Sequence, residues 1–236
     1  SPPFMTSTLQ QEASRKLNLG TKQTMSVAQK LYEAGLITYM RTDGIDMAYE
    51  AVQDARKQIL NQYGDQYVPE KSRVYKNKAK NAQEAHECIR PTDMTNIPKR
   101  LKNVDDIQRK LYELIWKRTV ASQMTSAEIQ ETRIDIGPDS AEFMLRASGS
   151  ETSFDGFKKV YFEGVDNEEE SEKEVTLVSM REGENLTLID VMPTQHFTQP
   201  AARYTEASLV KKMVELGIGR PSTYATIVSK IQDREY

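Results

Sequence analysis

The sequence predicts a multidomain α+β protein: a mainly helical segment over residues 1–125, an antiparallel strand-built segment over 126–195 and a second helical segment over 196–236. Two observations predict it. The apolar residues recur every three to four positions up to about residue 125, every second position beyond it, and every three to four again from about residue 205. The charge balance changes at nearly the same places, with net values of +6 over 1–125, −11 over 126–195 and +2 over 196–236. At 236 residues the chain is long enough for one large domain or two to three small ones.

Helical patterns cover about Thr6–Leu17 and Thr24–Ala34. From Asp46, a candidate N-cap, Ala48, Ala51, Val52, Ala55 and Ile59 form one apolar stripe that Gly64 is expected to stop. Ile107, Leu111, Leu114, Ile115, Ala121 and Met124 form a second stripe behind Asp105 and Asp106, whose carboxylates suit a helix N-terminus. Beyond residue 126, Thr132, Ile134 and Ile136 alternate with Arg133 and Asp135, and Phe143, Leu145 and Ala147 with Met144 and Arg146. Val175, Leu177, Leu186 and Leu188 continue the habit, so strands are expected there too. The carboxylate-rich run from Asp166 to Glu174 reads as a solvated loop. Ala207, Val210, Met213 and Val214 form a further helix ending at Gly217, and Pro221, at a favoured first-turn position, is expected to open the last one.

Composition narrows the function. With 38% hydrophobic and 28% charged residues, and no apolar run near the roughly 18 residues that span a bilayer, a membrane protein is not expected. The start, Ser1-Pro2-Pro3-Phe4, lacks both Met and a basic-then-apolar stretch, so no signal peptide is read and the chain is expected to belong to something longer. A single cysteine, Cys88, excludes an internal disulfide. With only His86 and His196 beside it, the usual four zinc ligands are lacking. The run His86-Glu87-Cys88-Ile89-Arg90 has arginine where a zinc-protease helix needs its second histidine. No glycine is followed by lysine, so there is no P-loop, and Gly217-Ile218-Gly219 lacks the third glycine of a dinucleotide fingerprint. A nucleic-acid partner stays compatible with the acidic total, because the positive charge sits in the first and last segments.

Three clusters carry candidate chemistry. In Gly35-Leu36-Ile37-Thr38-Tyr39-Met40-Arg41-Thr42-Asp43, an extended backbone would put the Tyr39 phenol and the Arg41 guanidinium on one side, an arrangement suited to attack on a phosphodiester. Tyr39 reads equally as one more packing tyrosine among the eleven in the chain. The second cluster, Ala85 to Thr92, holds His86, Glu87 and Arg90 behind a basic loop with Lys71, Arg73, Lys76, Lys78 and Lys80. His86 reads as a phosphate partner or as a satisfied, partly buried histidine, and the loop as a DNA contact or a solvated one. In the third, Gly217 to Tyr224, a glycine turn into a proline-started helix sets backbone N–H groups beside Arg220, Ser222 and Thr223. That suits a phosphate, or is an ordinary helical corner capped by Ser222.

Together the clusters resemble a family. The stretches PPFMTSTLQQEAS at 2–14, TMSVAQKLYEAGLITYMRTD at 24–43, AHECIRPTD at 85–93, YELIWKRTVASQM at 112–124 and QPAARYTEASLVKKMVELGIGRPSTYATIVSKIQDREY at 199–236 are similar, in order, to the central part of bacterial type IA DNA topoisomerases. The resemblance implies that Tyr39 is the nucleophile, linked to a DNA 5′-phosphate while a 3′-hydroxyl is freed. One strand is cut and religated without ATP, and negative supercoils relax. It implies that Arg41 positions the scissile phosphate, that His86 lies near it, that Arg220, Ser222 and Thr223 hold the single strand, and that Arg90 and Glu87 support. It further implies a helical cap domain over 1–125, a β-rich arch over 126–195 and the start of a DNA-binding base domain over 196–236.

Met5 stands where threonine is more usual, Gly44 where serine is common, Cys88 for alanine and Ala201 for proline. None of these removes a reacting group. In the family Mg2+ is bound by a TOPRIM domain that precedes this region, so no metal is expected on this piece and the isolated chain is expected not to relax DNA. Only about one tyrosine in a thousand ionises at pH 7 unaided. The expected partners are single-stranded and negatively supercoiled DNA, in the bacterial cytoplasm at the nucleoid, with a monomeric full-length enzyme. Arch strands left without neighbours could pair one chain with another. The competing reading is a non-catalytic single-stranded-DNA-binding module, which would never trap DNA on Tyr39. A tyrosine recombinase would attach to the 3′-phosphate instead, and its motif order does not match.

Overall fold

The computed structural model describes residues 1–75, 86–137, 143–165, 177–178 and 180–236. Its contacts divide it into two compact units. One comprises Ser1–Ala127, Asp155–Ser171 and Tyr204–Tyr236, and the other Glu128–Phe154 and Glu172–Arg203.

The first unit is helical. Helix α1 spans Thr6–Leu17, α2 Thr21–Glu33, α3 Tyr49–Tyr63 and α4 Asp106–Ser122. Helix α1 begins at Met5, whose N–H is taken by the Thr8 hydroxyl at 3.1 Å, so the cap does not depend on a threonine at position 5. It ends at Asn18 in the left-handed region (φ 53°), with Arg15 and Lys16 in its last turn facing the negative end of the helix dipole. Asp105 caps α4 by accepting from the Gln108 N–H at 2.7 Å, while Gln108 returns a bond to the Asp105 N–H at 2.9 Å.

The apolar stripes meet in one core. Phe4, Leu9, Leu31, Ile37, Met40, Ile59, Ile89, Leu111, Tyr112, Ile115 and Met124 are all fully buried there. Each large apolar side chain so buried contributes about 1.5–3 kcal/mol.

Charged residues clamp the rim of this core. Arg118, itself buried, donates Nε to the Pro2 carbonyl at 2.6 Å and a terminal nitrogen to Glu163 at 2.6 Å, and its guanidinium lies over the Phe4 and Tyr161 rings. Glu12, equally buried, accepts from the Tyr161 hydroxyl and from the Gly164 N–H at 3.0 Å. These bonds hold residues 155–165 against α1 and α4.

A helix pair completes the unit. Helix α5 (Glu206–Glu215) is capped by Thr205, whose hydroxyl accepts from the Ser208 N–H at 3.1 Å. It ends in a Schellman turn, in which the Ile218 N–H bonds the Met213 carbonyl at 2.8 Å and the Gly217 N–H that of Val214 at 3.1 Å. Gly217 sits at φ 71°, where a Cβ would be strained. Helix α6 (Tyr224–Asp233) folds back so that Val210, Met213, Tyr224 and Val228 share a small core. Helix α5 packs on α1, and α6 on α2.

The second unit holds strands β1 (Glu128–Ile136) and β2 (Leu145–Phe154), paired antiparallel from Glu128 opposite Phe154 to Ile136 opposite Leu145. Asp135 and Arg146, directly opposite, form a two-pronged ion pair at 2.7 and 3.1 Å.

Four expectations need correction. Asp46 does not cap α3; its backbone pairs with residues 87–88, the Cys88 N–H bonding the Asp46 carbonyl at 2.9 Å, and the helix starts at Tyr49. Phe143 lies outside β2, which starts at Leu145. No strand forms at Leu186 or Leu188 among the described residues, and Leu177 is likewise outside any strand; Val175 and the run 166–174 lie outside the described residues. A period of two becomes a strand only where another strand takes its N–H and C=O groups. Pro221 opens a turn rather than the helix: the Thr223 N–H closes a tight i→i−3 bond to the Arg220 carbonyl at 2.8 Å, and regular α6 geometry starts at Tyr224.

Candidate active site

The segment 36–43 belongs to no regular strand; it bends at Leu36, Thr38, Met40 and Arg41, with Ile37 in an isolated bridge to Pro91. Along it Ile37, Met40 and Thr42 are buried while Tyr39 and Arg41 are exposed, so both the phenol and the guanidinium reach the open side. The Tyr39 ring, half exposed, meets the Tyr32 ring edge to face with centroids 5.3 Å apart, which limits its swing.

Three threonines hold this segment from beneath. The Thr6 hydroxyl, at the start of α1, donates toward the Met40 carbonyl at 2.7 Å, lies 3.0 Å from the Thr42 carbonyl and accepts from the Thr42 N–H at 2.8 Å. The Thr42 hydroxyl donates to the Glu87 carbonyl at 2.9 Å. The Thr38 hydroxyl donates to the Cys88 carbonyl at 2.7 Å and accepts from the Arg90 N–H at 3.0 Å. Residues 86–92 thus run alongside 37–46, fixed by bridges between Ile37 and Pro91 and between Asp46 and Glu87, while Ile89 pairs with Phe4. Gly44 is needed at this crossing, since a Cβ there would fall on the His86 carbonyl oxygen. A serine at position 44 would require a wider separation.

On the open side, His86 Nδ1 lies 3.4 Å from Asp43 Oδ1, an ion pair when the imidazole is protonated. Arg90 points back into the protein: Nε bonds Glu87 Oε1 at 2.7 Å and a terminal nitrogen bonds the Pro91 carbonyl at 2.9 Å. Glu87 also accepts from the Ala48 N–H at 2.9 Å, at the start of α3. Arg90 and Glu87 are therefore bracing residues in this arrangement.

Within the basic loop, Arg73 is committed to packing: Nε bonds the Met124 carbonyl at 2.7 Å and a terminal nitrogen the Ser126 hydroxyl at 2.9 Å. Lys76, Lys78 and Lys80 lie outside the described residues. Burial pushes the Cys88 thiol up to about 12, the Glu87 carboxylate adding to the effect, so it is no nucleophile at neutral pH.

The third cluster comes close to the first two. Arg220, exposed, starts the turn before α6, where the Thr223 hydroxyl accepts from the Arg220 N–H at 2.8 Å. Ser222 is exposed and caps nothing in this arrangement. Burial raises the Tyr224 hydroxyl pKa, with Arg220 opposing and Asp43 reinforcing, so both charges lie within electrostatic reach of that phenol. Arg41 and Ser222 line one groove between α2 and α6. The fold therefore gathers Tyr39, Arg41, Asp43, His86, Arg220 and Ser222 in one region of the first unit. It is rich in cations and hydroxyls around an exposed phenol, chemistry suited to a phosphodiester.

A family model described as DNA topoisomerase matches residues 1–236. The chain belongs to the DNA topoisomerase family. It is 53% identical over 244 residues to DNA topoisomerase 1 of Rickettsia bellii (strain RML369-C), covering 100% of this chain and 30% of that protein. It is 47% identical over 248 residues to DNA topoisomerase 1 of Xylella fastidiosa (strain Temecula1), again covering 100% of this chain and 30% of the relative. Among solved structures, full-length topoisomerase I from Thermotoga maritima superposes with a TM-score of 0.81 at 37% identity, covering 100% of this chain and 38% of the other. The chain thus spans about a third of the length of these topoisomerases.

Sequence reasoning missed several residues of this candidate site. Asp43 was visible only as the end of a motif, and its partner His86 lies far along the chain. Thr6, Thr38 and Thr42, which set the height of Tyr39, carry no signal in spacing, because their partners are backbone carbonyls brought in by the fold. No helix among the described residues is long and apolar enough to cross a membrane.

Proposed function

We propose that this chain is the nucleophile-bearing, strand-holding part of a type IA DNA topoisomerase, an isomerase acting on single-stranded regions of negatively supercoiled DNA. The observation that carries the reading is the braced, exposed pair Tyr39 and Arg41, with His86 and Asp43 beside it. In the forward step the Tyr39 oxygen bonds to phosphorus and the P–O3′ bond breaks. The phenol gives up its proton, and the departing 3′-oxygen takes one up. Religation is the reverse, and since one phosphodiester replaces another, no ATP is consumed. Arg41 binds the non-bridging oxygens, and His86, oriented by Asp43, offers a second hydrogen-bond donor to the phosphate. Arg220, Ser222 and Thr223 hold the strand away from the cut, while Glu87 and Arg90 keep residues 86–92 in place.

The family implies Mg2+, which when bound neutralises charge on the reacting phosphate. Among the described residues, no group of three or more His, Cys, Asp or Glu side chains comes together to hold a metal. Its ligands are assigned to a TOPRIM domain elsewhere in the full-length enzyme, and no step above runs through it. The isolated chain is accordingly expected not to relax DNA.

The test mixes the chain with end-labelled single-stranded DNA and Mg2+, with and without a separately produced TOPRIM-containing part, and looks for denaturant-resistant adducts. An adduct that needs both parts and ends on a 5′-phosphate supports the reading. Binding without any adduct under either condition would leave a single-strand-binding module instead.

A further inference from the structure

The groove between α2 and α6 has a volume of about 380 Å³, large enough for part of a nucleotide chain. Its α2 wall carries Lys22, Ser26 and Lys30, all exposed; Arg41 stands beside them, and Ser222 and Thr226 form the opposite wall. Three cations and three hydroxyls line it, and no carboxylate does. Among the described residues, Lys22, Lys30 and Arg41 enter no ion pair. The acids nearby are occupied: Glu33, one turn beyond Gln29, accepts from Gln29 Nε2 at 2.7 Å, and Asp43 faces His86.

The adjoining cleft, toward the start of α2 and the end of α6, has the opposite character. Glu206 and Asp233 line it, and it shares only Lys22 and Ser26 with the first groove. A polyanion is therefore favoured toward Lys30 and Arg41 and opposed toward Glu206 and Asp233. Lys22 and Lys30 are eight residues apart on α2, about 12 Å along its axis, so the wall addresses more than one phosphate.

We propose that this groove holds the sugar-phosphate backbone of a single DNA strand, with Lys22 and Lys30 as phosphate contacts continuous with Arg41. The proposal rests on the topoisomerase reading of the chain and adds a path to it: the strand at Tyr39 and Arg41 runs between α2 and α6, beneath Ser222. The apolar floor of Met25, Pro221 and Ala225 takes sugar edges, so the groove reads backbone rather than sequence.

The experiment measures anisotropy of a fluorescein-labelled oligothymidylate with the chain across a salt series, comparing wild type, the Lys22→Gln/Lys30→Gln pair, Arg220→Ala, and Lys57→Gln as a control cation on α3. Each phosphate contact adds about 0.7 to the slope of log affinity against log salt. The double variant is expected to lower the slope by about 1.4 and to bind severalfold more weakly, with Lys57→Gln unchanged. A second readout leaves the lysines intact: Ser26→Cys carrying an azidophenacyl group should crosslink to the strand on illumination, the buried Cys88 escaping the label. An unchanged slope in the double variant, or no crosslink, while Arg220→Ala weakens binding, overturns the groove and leaves the topoisomerase reading standing. A wild-type chain that binds no strand even at low salt overturns both.

Discussion

Glu206, in the first turn of α5, accepts a hydrogen bond from the Thr21 backbone N–H at 2.6 Å and so caps α2 from 185 residues away. Gly20, the residue before α2, has no side-chain oxygen to do this. The second carboxylate oxygen takes Gln232 Nε2 at 3.1 Å, so one side chain joins α2, α5 and α6. Glu206→Ala is expected to cost about 1 kcal/mol, the usual value of a lost N-cap. Hydrogen exchange over 206–233 should accelerate together with that at 21–24.

The same carboxyl has a pH signature. Burial raises its pKa, but the Thr21 and Gln232 hydrogen bonds outweigh that and leave it below the ordinary glutamate value. The stabilisation is therefore present above the unfolded-state pKa of about 4.3 and is lost as the pH falls through the lower folded value. Urea melts should show the gap between wild type and Glu206→Ala narrowing over that window and constant at neutral pH.

Tyr39→Phe should abolish adduct formation in the presence of the TOPRIM-containing part while leaving the melting temperature unchanged. The ring contact with Tyr32 survives, and the lost hydroxyl is on an exposed residue. A folded variant that still forms adducts would remove Tyr39 from the chemistry.

Thr6→Val leaves the Met40 carbonyl without its Thr6 donor and the Thr42 N–H without its acceptor, all in a buried place. A loss of about 1–3 kcal/mol is expected for such groups. Because these bonds set the position of the Tyr39 segment, adduct formation should fall by more than the unfolded fraction accounts for. Thr6→Ser, which keeps the oxygen, should restore both measurements.

Gly44→Ser places a Cβ on the His86 carbonyl oxygen and must push residues 86–92 away from 42–46. Thermal melting should drop, and the Asp43–His86 separation of 3.4 Å should widen, weakening binding of the strand. An unchanged melting temperature would mean that the crossing is looser than its hydrogen bonds imply.

Strands β1 and β2 pair only with each other among the described residues, leaving an outer edge on each. Concentration-dependent sedimentation of the chain is expected if those edges pair between copies. It should be weak, because Glu131, Arg133 and Asp135 charge the β1 edge.

Much of the helical framework was legible in the order of residues. Thr6–Leu17 was read to its ends, since helical periodicity is a local signal. Asp105 as a cap and Gly217 as a stop were equally visible, because capping joins groups three to five residues apart. Alternation pointed to Tyr39 and Arg41 as a pair, and both are exposed, but the backbone that presents them bends instead of running as a strand.

Long-range hydrogen bonding decided the remainder. Asp46 has the look of a helix cap, yet its backbone is taken by residues 87–88, and no local rule announces a partner forty residues away. Leu186 and Leu188 have the spacing of a strand but no neighbour among the described residues to pair with, and an unpaired strand gains too little to order its backbone. The cap that α2 lacks locally comes from Glu206, and the seat of Tyr39 comes from Thr6. Local patterns set which segments coil, because helical bonds close within four residues. The site needed the folded chain, because its donors and acceptors are backbone groups whose partners are chosen only when distant segments pack.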